Sequence, residues 1–234
     1  MIVRWLHIDD PGGDRWIHPI LGAINEAVEK GICSEIDSSV RELGIHISTR
    51  INMLPYIIKR INLGWNELYE QVREHEDKYV YEKNKDGYAI RVNEELKYQL
   101  IIDIDSFLFE TNSCAELIRN FLSEIYQNLG IKFRQDKTGS IIRQLIIDSG
   151  EDASWFEILV KNRNFFIHEG APYIAIDISS ETPDLIIMKE NLREFNNPSK
   201  FTTLSELDSV LKGFTKAKAI LQKHIISICK SRNA

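Results

Sequence analysis

Apolar residues recur along most of this chain at spacings of three and four, the period of a helix with one buried face. The strongest run lies between Asn93 and Leu129. There Ile101, Leu108, Ala115, Leu122 and Leu129 recur every seven residues beside Ile104, Thr111, Ile118 and Ile125. At 1.5 Å per residue such a helix is on the order of 50 Å long, the spine of a bundle, with Asn112-Ser113 as the place where it could bend. Further helices are predicted over Pro19–Lys30, from Ser34 to about His75 with an interruption near Pro55, over Thr138–Asp148, and from Asp152 to about His168. A last helix is predicted from about Thr203, with Leu207, Val210, Leu211, Phe214, Leu221, Ile225 and Ile228 as its apolar row.

Other segments lack this period. Arg4-Trp5-Leu6-His7 is echoed by Arg15-Trp16-Ile17-His18 across Asp9-Asp10-Pro11-Gly12-Gly13-Asp14, which predicts a hairpin over about 2–18. Tyr173–Ile178 and Asp184–Met188, joined by Ser179-Ser180-Glu181-Thr182-Pro183, predict a second hairpin over 173–188 that caps the bundle end. Glu82–Val92, with Asn84-Lys85-Asp86-Gly87, reads as a polar turn. The fold class predicted is mainly α: an up-and-down helical bundle with two small β-hairpins. No linker is long or polar enough to force a division, so residues 1–234 read as one domain with an N-terminal hairpin extension over about 1–18.

Composition narrows the function. With 35 acidic and 29 basic residues the net charge is −6, which disfavours a protein that coats nucleic acid through bulk electrostatics. Any contact with RNA must come from a local basic patch. Cys33, Cys114 and Cys229 are odd in number and far apart, so they offer neither a disulfide framework nor a Cys-x-x-Cys knuckle. Met1–Asp10 holds no apolar run of signal-peptide length, and the most apolar later stretch is broken by Asp103 and Asp105. A soluble, cytoplasmic protein with no membrane contact is expected. His7 and His18 would face each other across the first hairpin, but no third ligand is fixed beside them, and no glycine-rich phosphate loop is present. Neither a metal nor a cofactor is expected.

The chemistry that stands out is at Arg163-Asn164-Phe165-Phe166-Ile167-His168. On a helical wheel from Trp155, the apolar residues Trp155, Phe156, Ile158, Leu159, Val160, Phe165, Phe166 and Ile167 span more than half the circumference. A helix so apolar needs cover on two sides, from its own bundle or from a partner subunit. The narrow polar strip that remains holds Glu157, Lys161, Asn164 and His168. Arg163 falls instead inside the apolar arc, where a guanidinium is costly without a partner. A salt bridge to Asp103, Asp105, Glu110 or Glu116 would explain it, and so would an anion site in a cleft between subunits.

An Arg, a polar residue, a short run and a His near the end of an aromatic-rich helix in a helical bundle resemble the signature of the HEPN superfamily. The resemblance covers this motif and, loosely, the helical frame; both hairpins fall outside it. Arg41 to His46 has the same four-residue gap, but Glu42 follows the arginine and Gly44 interrupts the run.

The resemblance implies a metal-independent endoribonuclease, a toxin or antiphage defence effector. In such an enzyme the RNA 2′-hydroxyl attacks the adjacent phosphodiester, leaving a cyclic phosphate and a free 5′-hydroxyl. His168 would be general acid or base, since imidazole with its unperturbed pKa near 6.5 exchanges protons near neutrality. Arg163 would stabilise the charge on the phosphorane oxygens, Asn164 would orient His168 or the phosphate, and Lys161 on the polar strip would bind RNA.

Arg163 and His168 are five positions apart, so on a straight helix they diverge by about 140°. HEPN enzymes meet this by dimerising, with the motifs facing a shared cleft, so a homodimer with RNA as substrate is implied, along with an antitoxin or other regulatory partner. HEPN toxins controlled by a nucleotidyltransferase-type antitoxin typically carry a Tyr two residues after the motif His; here that position is Gly170, which speaks against regulation through such a tyrosine. The alternative reading is a non-catalytic HEPN module that binds RNA, a nucleotide or a partner protein. A row of lysines on the last helix, Lys212, Lys216, Lys223 and Lys230, is either a phosphate-tracking face or an ordinary solvated one.

Overall fold

A computed structural model describes residues 15–74, 80–82, 87–89, 92–168, 173–179, 181–190, 192 and 195–231; for 80–82, 87–89, Ile167 and His168 only the backbone is described. Among these residues are six α-helices and five short strands. They are α1 (Ile17–Glu29), α2 (Ser38–Glu74), β1 (Val80–Glu82), β2 (Gly87–Ala89), α3 (Glu94–Asn128), α4 (Thr138–Asp148), α5 (Trp155–His168), β3 (Tyr173–Asp177), β4 (Asp184–Met188), β5 (Phe201–Thr203) and α6 (Leu204–Lys230). The protein is a mainly helical bundle carrying small antiparallel β-elements.

The long helix α3 begins and ends where its sequence says it should. Asn93 caps it, its side-chain oxygen accepting from the backbone amides of Glu95 and Leu96 at 2.9 and 3.4 Å. Glu94 and Glu95 place negative charge at the positive end of the helix dipole. At the other end Gly130 takes a positive φ of 61°, which lets the Ile131 amide turn back to the Tyr126 carbonyl at 2.9 Å. The helix runs through Asn112-Ser113 without a break, and the rows read from the sequence are its core face: Ile104, Leu108, Thr111, Ile118, Leu122 and Ile125 are all buried.

Helix α2 runs antiparallel to α3, and polar contacts fix the register. Arg60 pairs with Asp103 at 2.7 Å, Arg50 with Glu110, and the Asn93 amide donates to Gln71 Oε1 at 3.1 Å. Pro55 sits inside α2, which is one continuous helix where an interruption was predicted. Proline removes the hydrogen bond to the Ile51 carbonyl and costs a helix about 3 kcal/mol. Burial of Ile47, Ile51, Leu54, Ile57 and Ile61 against α3 outweighs that local penalty, at about 1.5–3 kcal/mol for each large side chain removed from water.

The N-terminal expectation needs a correction. Residues 1–14, including His7, lie outside the described residues, but Ile17 and His18, assigned to the second arm of a hairpin, are the first residues of α1. Pro19 falls in the first turn, where its missing amide proton has no acceptor to lose. Ile17, Ile20, Ala23, Ile24 and Ala27 then form a buried helical row, and Trp16 anchors the helix start by donating to the Lys218 carbonyl at 2.8 Å.

The second predicted hairpin is present, with Tyr173 opposite Met188 and Asp177 opposite Asp184. Two features were not foreseen. The segment read as a polar turn, Glu82–Val92, contains β2 and the last residue of β1, which pair with each other, and β5 adds a third strand on the far side of β4. Leu185 and Ile187 of β4 join the bundle core, and β5 leads straight into α6, where Thr203 caps the helix by accepting from the Glu206 amide at 3.2 Å.

Near the close of α3 and α6, Tyr126 and His224 share a hydrogen bond of 2.7 Å. Partial burial pushes the imidazole below its usual range. A histidine depressed in the folded state stabilises the protein fully above its unfolded pKa near 6.5, and that contribution is lost as the pH falls through the lower folded value. Thermal melts should therefore fall in midpoint between pH 7 and pH 5, and less steeply in His224→Gln; parallel curves for the two proteins would refute this assignment.

Candidate functional site

Helix α5 lies against α6 and α3. Its start is set by Asp152, which accepts from the Ser154 amide at 2.8 Å. The hydroxyl and amide of Ser154 hold the Asp152 carboxyl below its ordinary pKa. Trp155, the first helical residue, is buried edge-on against Phe214 of α6, with ring centroids 6.1 Å apart. The Trp155 ring lies directly on the α6 backbone because α6 presents Gly213 there: a Cβ at that position would lie 2.2 Å from the Trp155 ring. One turn from the other end, Phe165 is buried, in edge contact with Phe166 at 5.2 Å and under the Lys189 ammonium at 5.4 Å from its ring centre.

Three consecutive polar residues follow Lys161, and the helix sends them in three directions. Asn162 is 0% exposed. Arg163 is half-buried and Asn164 is exposed. His168 is the last residue of the helix, five positions beyond Arg163, hence about 7.5 Å further along the axis; its side chain is outside the description. Lys161, expected to contact RNA, is engaged with Glu206, Nζ to Oε2 at 3.5 Å. Glu206 is held in turn by the Thr202 hydroxyl at 2.7 Å.

Arg163 is the informative member. Its Nε is buried and has no hydrogen-bond partner. The acids that could have neutralised it are committed or turned away: Asp103 pairs with Arg60, Glu110 with Arg50, Glu116 with Arg119, and Asp105 is exposed on α3. The salt-bridge explanation thus fails among the described residues, and a guanidinium with a desolvated nitrogen remains beside the apolar face of α5. Such a group gains more from an incoming anion than a solvated cation does.

The arginine–histidine pair at Arg41 and His46 sits in contrary electrostatics. Arg41 donates to Asn25 at 3.3 Å, and His46 lines a cleft of about 330 Å³ with Asp37, Glu42 and Glu124. Three carboxylates around one imidazole repel phosphate. A second cleft, about 450 Å³, runs along α2 past Pro55, Lys59 and Leu63. Neither borders α5. The α6 lysine row is partly neutralised, with Lys212 on Asp208 at 2.5 Å and Lys216 on Glu151 at 2.7 Å, while Lys223 and Lys230 are exposed.

No protein-family model, no curated protein and no solved structure matches this chain.

The site is therefore argued from its own residues. Asn162 escaped the sequence reading although a signal was there: on the wheel it falls between Ile158 and Trp155, deep in the apolar arc. Both its amide atoms are buried without a partner, an arrangement that costs a few kcal/mol relative to a satisfied amide. Asn162 and Arg163, adjacent in sequence on α5, thus both hold polar atoms out of water without a partner among the described residues, as does Trp155 through its Nε1. Among the described residues no group of three His, Cys, Asp or Glu side chains could hold a metal ion, and no helix is long and apolar enough to cross a membrane.

Proposed function

We propose that this protein is a metal-independent endoribonuclease of the HEPN type, working in the cytoplasm as a homodimer and acting as a toxin or antiphage effector under the control of an antitoxin or similar partner. The observation that carries this reading is the buried Nε of Arg163, without a hydrogen-bond partner among the described residues, on the same helix as an exposed Asn164 and a terminal His168. A phosphodiester supplies the anion that Arg163 lacks. His168 exchanges the proton of the 2′-hydroxyl or of the departing 5′-oxygen, Arg163 neutralises charge on the phosphorane oxygens, and Asn164 orients one or the other.

Because positions five apart on an ideal helix diverge by about 140°, the second subunit supplies the complementary motif residue to each phosphate. The partly exposed Phe156, one position around the helix from Arg163 after two turns, supports a subunit contact on this face. The reading is tested by incubating the full chain with total cellular RNA in EDTA and mapping the product ends. Cleavage leaving cyclic phosphate and 5′-hydroxyl ends, lost in His168→Ala by about 10²–10⁴-fold, is the expected result. Intact tRNA, mRNA and rRNA after exposure to folded wild-type protein would overturn it.

Because a fold does not fix an activity, the second reading is a HEPN module that binds RNA, a nucleotide or a partner protein without cutting. Tight RNA binding that survives His168→Ala with no cleavage by either protein is its signature.

A further inference from the structure

The three cysteines are far apart in sequence, yet the fold brings two of them to one end of the bundle. Hydrogen bonds from α3 place both. Near the close of that helix Tyr126 meets His224 of α6 at 2.7 Å, and two residues later Asn128 Nδ2 donates to the Ser34 carbonyl at 3.0 Å. Ser34 follows Cys33 directly, and Cys229 lies five residues beyond His224, about 7.5 Å along the helix axis.

Helix α1 gives the same placement by a separate route. It lies along α6. At its start Trp16 donates to the Lys218 carbonyl at 2.8 Å and accepts from the Gln222 side-chain amide at 2.6 Å. Both helices run from there toward the end marked by Asn128. Ala27 is about 16 Å along from Trp16, and Cys229 is about 14 Å along from the level of Lys218 and Gln222. Beyond α1, Gly31 with a φ of 68° turns the chain back, so that the Ile32 amide reaches the Ala27 carbonyl at 2.9 Å. Cys33 is thereby returned to the level of Ala27, which is the level of Cys229.

Both sulfurs are free thiols. Cys229 is buried in the core at 1% exposure, and Cys33 is half-buried against the same core. Burial pushes the Cys229 thiol up to about 11, and negative charge on Cys33 adds to the effect. Burial raises the Cys33 thiol as well, so both rest protonated at neutral pH. Cys33 lies outside any helix or strand, so its backbone can meet the geometry of a disulfide without breaking a helical hydrogen bond. Cys114 is elsewhere, buried between α3 and α2 with its Sγ 3.9 Å from the Ile47 carbonyl.

We propose that Cys33 and Cys229 form a site of reversible oxidation, closing into a disulfide that ties the α1–α2 connection to the last turns of α6. The co-reactant is a peroxide. The Cys33 thiolate attacks one peroxide oxygen, the O–O bond breaks, and the departing hydroxide takes up the proton lost by Cys33 and leaves as water. The product is a sulfenic acid. The Cys229 thiolate then attacks the Cys33 sulfur, the S–O bond breaks, and the second hydroxide leaves as water with the proton lost by Cys229. Two thiols give up two electrons, and one hydrogen peroxide becomes two waters. Only Cys33 has to meet the oxidant, since Cys229 attacks a sulfur already held by the protein. The raised thiols make closure slow, on the order of minutes to hours. The site goes beyond the nuclease reading and does not depend on it.

The test treats the folded full chain with hydrogen peroxide at mildly alkaline pH, caps remaining thiols with iodoacetamide in denaturant, and maps a non-reducing digest by mass spectrometry. The expected product is one bridged peptide pair containing Cys33 and Cys229, two hydrogens lighter than its parts and released by dithiothreitol, with Cys114 recovered capped. Cys114→Ser should keep the bridge, while Cys33→Ser and Cys229→Ser should each lose it. The oxidised wild type should melt higher than the reduced protein by roughly 5 °C or more, because the bridge closes most of the chain into a loop. Sulfinic acid at Cys33 with Cys229 capped overturns the proposal. So does a bridge to Cys114 or to a second chain, or an oxidised protein that melts no higher than the reduced one.

Discussion

Replacing Arg163 with methionine is expected, on the nuclease reading proposed above, to reduce RNA cleavage by about 10²–10³-fold, the effect of removing one preorganised group that stabilises transition-state charge, while leaving the melting temperature unchanged or higher. The two signs together make the result diagnostic. An arginine retained for structure would be paired, and its loss would leave a buried carboxylate alone at a cost of several kcal/mol. Among the described residues Arg163 has no such partner, and its buried Nε is unsatisfied. Methionine keeps the aliphatic stem against the apolar arc and removes only the unpaired polar group, a change that mutational series find neutral or stabilising. Cleavage and stability are read on one preparation. A melting temperature several degrees below wild type would assign Arg163 to the scaffold, and undiminished cleavage would remove it from the chemistry.

The second large effect concerns the seat of α5. Gly213→Ala should destabilise the fold by about 1–3 kcal/mol, the usual cost of forcing a methyl group into a packed contact, with a fall in melting temperature on the order of 5 °C for a chain of this size. The added Cβ would lie 2.2, 2.3 and 2.6 Å from the Cγ, Cδ1 and Cβ atoms of Trp155. The Cβ cannot rotate away, so α5 must lift from α6. Cleavage should fall with stability, since the helix that lifts is the one bearing Arg163 and His168. Gly22→Ala is the control: it is a helical glycine with nothing within 4 Å of the added atom, and alanine there should raise stability by up to about 1 kcal/mol. Equal melting temperatures for the two variants would mean that Trp155 does not lock the helices together.

What the sequence disclosed, and what it hid, follows the range of the forces involved. Helix α3 was legible almost to the residue because a seven-residue apolar repeat, an asparagine cap and a terminal glycine act within a few turns of one another. The continuity of α2 through Pro55 was not, since the local cost of proline is offset by isoleucines whose burial depends on a helix some forty residues away. Strand β5 is three residues with no alternation to betray it, and only the buried edge of β4 makes it a strand. At the candidate site, the misfit of Arg163 on its wheel was visible at once. Its lack of a partner was not, because whether Asp103, Glu110 and Glu116 are taken depends on Arg50, Arg60 and Arg119, and only the packing shows that. Asn162 carries the same signal as Arg163, a polar group set among apolar neighbours on the helical wheel.

The rungs that join α2 to α3 also determine which parts of the molecule can move. Sliding the two helices by one turn would part Arg60 from Asp103 and Arg50 from Glu110 in the same step, stranding Asp103, whose side chain is 2% exposed, at a cost on the order of 3 kcal/mol. A strut pinned by paired charges resists shear where a greasy seam would permit it. Any rearrangement of the molecule must therefore be borne by the shorter pieces mounted on that strut: α4, α5 and the three-stranded sheet.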